Sequence, residues 1–149
     1  MTLVELMLVV SILAILAAIV IPKYSSANDT ARGAAVASQL NTIQKALVLY
    51  KGDHNGDIPT QAQLITNQWQ VLIEATDIYG DVAGDEYGPY FMQAPRNSFM
   101  GGSTTVATDN SGAWQYTPAT GVIQAVVPQD IYDRAAEFQL DTGDLVVAP

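Results

Sequence analysis

The sequence predicts an α+β protein in which one long N-terminal α-helix, a membrane span that continues into a globular domain, packs on a small antiparallel β-sheet. Three observations lead there. Leu3 to Ile21 is a run of 19 residues interrupted only by Glu5 and Ser11. After it, apolar residues recur at helical spacing as far as Tyr50. Beyond residue 103, β-prone stretches alternate with Gly- and Pro-containing turns. The expected organisation is a hydrophobic transmembrane helix over 1–22, an amphipathic half of the same helix over 23–52, and an acidic α/β head with a β-meander over 53–149.

The charge follows the same division. The first 52 residues carry four basic and two acidic side chains, a net +2, whereas residues 53–149 carry two basic and thirteen acidic ones, a net −11. A chain of net −9 with six basic residues is not built to bind nucleic acid. It has no cysteine, which excludes disulfides, thiolate metal sites and a cysteine nucleophile. Its one histidine, His54, excludes a multi-histidine metal centre.

The first element is apolar all round, so it must be buried in lipid or in protein. At 1.5 Å per residue, 19 residues rise about 28 Å, close to the hydrocarbon thickness of a bilayer. No Lys or Arg precedes Lys23, so the run lacks the basic region of a signal peptide and is expected to be retained, any cleavage lying before Met1. Glu5 is the informative residue. A carboxylate in a membrane costs a few kcal/mol and is usually paired. The positive group nearest to it in sequence is the α-amino group of Met1, on its own chain or on a neighbour. If a neighbour supplies it, the contact repeats head to tail and builds a helical filament rather than a closed dimer. Otherwise Glu5 snorkels to the membrane surface or accepts amide hydrogens at the helix start.

From Met1-Thr2-Leu3-Val4-Glu5-Leu6 to Ile19-Val20-Ile21-Pro22, the segment resembles the mature N-terminus of the type IV pilin and pseudopilin superfamily. The Thr-Leu-Val at 2–4, Glu5 and Pro22 carry the resemblance. It implies a leader removed by a prepilin peptidase, N-methylation of Met1, storage in the inner membrane, and extrusion into a helical homopolymer by an assembly ATPase. Glu5 would meet the N-terminus of the neighbouring subunit. Most members have Phe where this chain has Met1, and many have Gly where it has Ala14. Alanine favours helix, so any unwound stretch is expected to be short and centred on Ala18 to Pro22.

Along residues 23–52, Val36, Leu40, Ile43, Leu47 and Tyr50 form one stripe expected to pack on the sheet. The other faces carry small or polar residues, Gly33 and Ser38 among them, that let helices approach closely. Gly52, Asn55-Gly56 and Pro59 then end the helix. Asp53, Asn55 and Asp57 alternate like the first half of a calcium loop, but Leu64 stands where the closing glutamate would be. They are weak calcium candidates, better explained as turn chemistry, and His54 reads as a solvated loop residue. No other cofactor is expected.

A short helix is expected to start over Pro59–Leu64 with Thr60 as its N-cap, and Gly56-Asp57-Ile58-Pro59-Thr60 resembles a passage found after the long helix of many pilins. A helix is expected over Asn67–Glu74 with Trp69, Leu72 and Ile73 inward. Residues 77–102 read as a loop whose Asp77, Asp81, Asp85 and Glu86 face solvent. Strands are expected at Thr104–Thr108, Ala113–Thr117 and Val122–Val127, with Trp114 and Tyr116 on one core face. Gly112-Ala113-Trp114-Gln115-Tyr116 and the turn after it resemble the sheet of major pseudopilins and related pilins. Without cysteine, the C-terminal disulfide loop of many pilins cannot form, so packing must hold residues 128–149.

The resemblance implies the major structural subunit of an extracellular type IV pilus-like filament, with a major pseudopilin of a type II secretion system as the alternative. An enzyme tethered by the helix is disfavoured, because no nucleophile elbow or phosphate loop is present.

Overall fold

A computed structural model describes residues 2–138 and 140–149, apart from the side chains of residues 21, 22 and 25. The chain divides into two compact units, Met1–Arg32 and Gly33–Pro149. Helix α1 (Leu3–Asp53) contributes to both. Leu3–Val20 is long and apolar enough to cross a membrane, and all of its side chains are exposed in the single chain. The helix is continuous through Pro22, so the loosening expected over Ala18–Pro22 is not seen in the isolated chain. Pro22 still removes the amide that the Ala18 carbonyl would otherwise accept from.

In the second unit, Val36, Leu40, Ile43, Leu47 and Tyr50 are all buried, as their spacing predicts. The stripe is longer than that. Gly33 lies three residues before Val36 and is buried against Phe138 rather than on an open small-residue face. At the other end, His54 lies one turn beyond Tyr50 and is buried as well.

After α1, Thr60 and Gln63 form a reciprocal cap. The Gln63 amide donates to Thr60 Oγ1 (3.3 Å), and Gln63 Oε1 accepts from the Thr60 amide (2.9 Å). This box starts a π-helical turn, Ala62–Thr66. Helix α2 (Gln70–Ile73) follows, shorter than the helix expected over Asn67–Glu74. Trp69 and Leu72 are fully buried and Ile73 partly so. Gln68 and Trp69 both have positive φ. The Gln68 side chain holds that conformation by donating to the Val106 carbonyl (2.9 Å) and accepting from the Val106 amide (3.1 Å). The Trp69 indole donates to the Thr104 carbonyl.

The sheet has four strands in the order β1 (Val106–Ala107), β2 (Trp114–Thr117), β3 (Val122–Val127), β4 (Leu145–Val147). Only the central pair is antiparallel, with Trp114 opposite Ala125 and Tyr116 opposite Ile123. Pairs β1–β2 and β3–β4 are parallel, so the sheet is mixed where the turn signals suggested a meander. Two local facts explain the difference. The Thr105 carbonyl accepts from the amides of both Ala113 and Trp114, so the Asp109–Gly112 turn does not close a hairpin. Between β3 and β4 lie helix α3 (Gln129–Asp133) and two 3-10 turns, a connection long enough to return the chain in parallel. Trp114 and Tyr116 point into the core as expected; Trp69 stands edge-on to Trp114, with ring centroids 6.5 Å apart at 89°.

Candidate assembly surface

The first candidate site is the start of α1. Thr2 and Glu5 form a capping box in which the Glu5 amide donates to Thr2 Oγ1 and Glu5 Oε2 accepts from the Thr2 amide, both at 3.3 Å. In the isolated chain, therefore, the Glu5 carboxylate is held at the helix N-terminus by its own backbone, where the helix dipole favours negative charge. Met1 lies outside the described residues. Pro22 lies inside the helix. Ser11 donates to the Met7 carbonyl at 2.7 Å, which hides its hydroxyl within the apolar surface. Leu3, Val4, Met7, Leu8, Leu13 and Ile15 are each more than half exposed. A surface this apolar is buried in lipid or by other protein.

The second candidate is the segment after α1. Asn55 and Gly56 both have positive φ, and the Gly56 amide reaches back to the Lys51 carbonyl at 2.8 Å. This is the long hydrogen bond of a Schellman C-cap. The helix-ending geometry thus accounts for Asn55 and Gly56. Asp53 accepts from the Tyr90 hydroxyl at 3.0 Å. Among the described residues, no three His, Asp or Glu side chains are gathered to hold a metal ion.

His54 is not a solvated loop residue. Its ring stacks on Tyr50 with centroids 3.7 Å apart and planes 9° from parallel. Nδ1 lies 2.8 Å from the Tyr50 carbonyl and Nε2 lies 3.1 Å from Thr76 Oγ1. The carbonyl can only accept, so Nδ1 carries a proton. Tyr87 and Tyr90 close over the imidazole. Burial raises the Tyr50 hydroxyl to about 12, with Asp57 and Asp77 adding to the effect. Tyr90 is raised as well, first by burial and then by its hydrogen bond to Asp53. The cluster ties the end of α1 to the loop over residues 76–90. The signal for it lay in the apolar stripe, whose next step after Tyr50 is His54.

That loop is held at several points. The Asp77 side chain accepts from the amides of Tyr79 and Asp81, both at 2.9 Å. Gln63 Nε2 donates to the carbonyls of Tyr79 (2.8 Å) and Gly80 (3.2 Å). Thr76 and Tyr87 pair across its base. Asp81, Asp85 and Glu86 are exposed, as expected, and so is the Tyr79 ring.

No protein-family model and no solved structure matches the chain. Over 65 residues it is 40% identical to the type IV wide pilus major component PilA4 of Thermus thermophilus, a match covering 44% of this chain and 50% of that protein. The chain thus aligns with about half the length of the relative it matches. It is similar to a type IV pilin, as residues 1–22 led one to expect.

Proposed function

We propose that the chain is the major structural subunit of an extracellular type IV pilus-like filament, a helical homopolymer assembled through α1. The observation that carries the reading is the apolar surface of Leu3–Val20 with one carboxylate, Glu5, at its head. The relative that is itself a pilus major component supports a pilin-type role. The activity is assembly, not catalysis. Before assembly the inner membrane buries the apolar surface; after extrusion, neighbouring α1 helices bury it. Each Leu, Ile or Val so buried contributes about 1.5–3 kcal/mol relative to water.

Glu5 sets the register. In the membrane its charge is offset by the Thr2 amide and the helix dipole. In the filament the N-terminal amine of the adjacent subunit, methylated at Met1, pairs with it. A prepilin peptidase and an assembly ATPase are the machinery this route requires. The test compares Glu5→Ala and Glu5→Gln with the parent chain. Both variants accumulate in the membrane, because an apolar or neutral side chain suits lipid better than a carboxylate. Filament yield by electron microscopy falls severely in both. Normal yield from Glu5→Gln, which preserves shape and hydrogen bonding but not charge, would sink the pairing. Fibres extending from the cell surface distinguish the pilus from a pseudopilus confined to the periplasm.

A further inference from the structure

The globular unit, Gly33–Pro149, carries four basic and thirteen acidic residues, a net −9. Copies of such a unit repel one another unless opposite charges meet at their contacts. One face of α1 offers positive charge. Val48 and Leu49 are 70% and 59% exposed there, two large apolar side chains adjacent in sequence. Lys45 lies one turn before both and Lys51 one turn beyond Val48, both exposed. Among the described residues, neither lysine forms an ion pair. Asn41, Gln44, Lys45, Val48 and Leu49 line one shallow depression. Gln44 also donates to Asp144 at 3.1 Å, an acid at the edge of this face.

The loop over residues 77–86 is the complement. Tyr79 is 84% exposed, an aromatic knob beside the exposed carboxylates of Asp81, Asp85 and Glu86. Hydrogen bonds to the Asp77 carboxylate and from the Gln63 side-chain amide already hold the backbone of this knob, so little conformational freedom is lost when it docks. A single chain cannot join the two surfaces. Gly80 of the loop lies against the Tyr50 hydroxyl, where a Cβ would overlap it. Val48 is two residues from Tyr50, about 200° around the helix, and so faces away from its own loop.

We infer that the Tyr79 loop of one copy docks on the Lys45–Lys51 face of α1 in the next copy, with Tyr79 on Val48 and Leu49 and the acidic side chains on the two lysines. The two patches differ, so the contact is head-to-tail and propagates instead of closing into a dimer. This rests on the filament proposed above and adds an outer, charge-selective contact between heads to the one at Glu5.

The absence of native cysteine makes the test clean. Asn41→Cys and Ala83→Cys place thiols at exposed positions beside the two patches without altering Lys45, Lys51, Tyr79 or the acids. Filaments of the double variant are treated with a short bis-maleimide and analysed on denaturing gels. The expected result is a ladder of oligomers from the double variant and monomer alone from each single variant. Adding Lys45→Glu and Lys51→Glu to the double variant reduces the ladder by roughly tenfold, the equivalent of 1.4 kcal/mol. Combining these with Asp81→Lys and Asp85→Lys restores it. Filaments without a ladder, dimers from Asn41→Cys alone, or a ladder indifferent to charge reversal would each overturn the contact while leaving the filament reading intact. If the parent chain forms no filaments, both fall.

Discussion

Asn97→Asp is a severe test of how the head is held together. Asn97 is completely buried. Its Nδ2 donates to the carbonyls of Ala113 (2.8 Å) and Val126 (2.7 Å), which joins the approach to β2 with the end of β3. Its Oδ1 accepts from the Phe99 amide at 3.0 Å. Aspartate has nearly the same shape but replaces the double donor with an oxygen aimed at two carbonyl oxygens. Two hydrogen bonds are lost, about 0.5–1.5 kcal/mol each, and a buried acceptor is left facing acceptors, about 1–3 kcal/mol more. The sum is about 2–6 kcal/mol against the 5–15 kcal/mol that holds a typical domain. Urea unfolding of the full chain in detergent measures it, followed by the emission of the buried Trp69 and Trp114. The penalty depends on pH with a definite sign. Burial favours the neutral acid, whose O–H restores one donor. The variant therefore recovers part of its loss between pH 7.5 and pH 5. A variant within about 0.5 kcal/mol of the parent at pH 7.5, a surface-like effect, would refute the network, as would a penalty that does not change with pH.

Two further predictions concern the helix and the hydroxyls packed against it. Gly33→Ala gains about 0.8–1 kcal/mol of helix propensity, yet the added Cβ would lie 2.6 Å from Phe138 Cβ. Overpacking costs about 1–3 kcal/mol, so the melting temperature falls, whereas Gly52→Ala, with nothing within 4 Å of the new Cβ, raises it; a rise at both positions would place Phe138 elsewhere. Tyr50 and Tyr116 are both pushed up to about 12, chiefly by burial. Their contribution is complete below pH 10 and is lost as pH rises from 10 toward 12, where the unfolded chain ionises and the folded one does not. Stability measured across that range should fall, and a flat profile would mean that these hydroxyls are open to water.

The elements with a strong period were legible in the sequence, and the pairings between them were not. The stripe from Val36 to Tyr50 could be read because burial along a helix repeats every three or four residues. The alternation of Trp114 and Tyr116 could be read for the same kind of reason. His54 and Gly33 were misplaced at the ends of that stripe. Gly52 and Asn55-Gly56 signalled a helix end before His54, and the small side chain of Gly33 hid a packing site among neighbouring alanines. Both lie on the extended 3-4 spacing, which was the better guide. The Thr2-x-x-Glu5 capping box is also a readable pattern. The Glu5 carboxylate accepts from the Thr2 amide, the helix-start alternative to charge pairing that the sequence offered. The parallel pairings of β1 and β4 left no local trace, because strand direction depends on what the connecting segments allow. Asn97 left none either, since its partners lie 16 and 29 residues away.

The missing cysteines bear on how the last segment stays in place. A disulfide in a small domain stabilises by about 2–5 kcal/mol. Here several weaker restraints act in its stead. Asp141 caps the turn at Thr142–Asp144 by accepting from the Gly143 amide at 2.9 Å, which delivers the chain into β4. Strand β4 then pairs with β3 from Leu145 to Val147. The Ala148 amide donates to the Val127 carbonyl at 2.8 Å, and Asn110 Nδ2 donates to the Val147 carbonyl at 2.8 Å. Phe138, Leu140 and Leu145 are buried. Each net hydrogen bond supplies about 1 kcal/mol and each buried large apolar side chain about 1.5–3 kcal/mol, and the margin is what remains after the entropy of ordering the segment is subtracted. The margin depends most on the apolar side chains, and Phe138 is the one that meets α1 at Gly33. The end of the chain is thus secured against the helix on one side and the sheet on the other. That is how a head without a covalent staple keeps its C-terminal strand in register with β3.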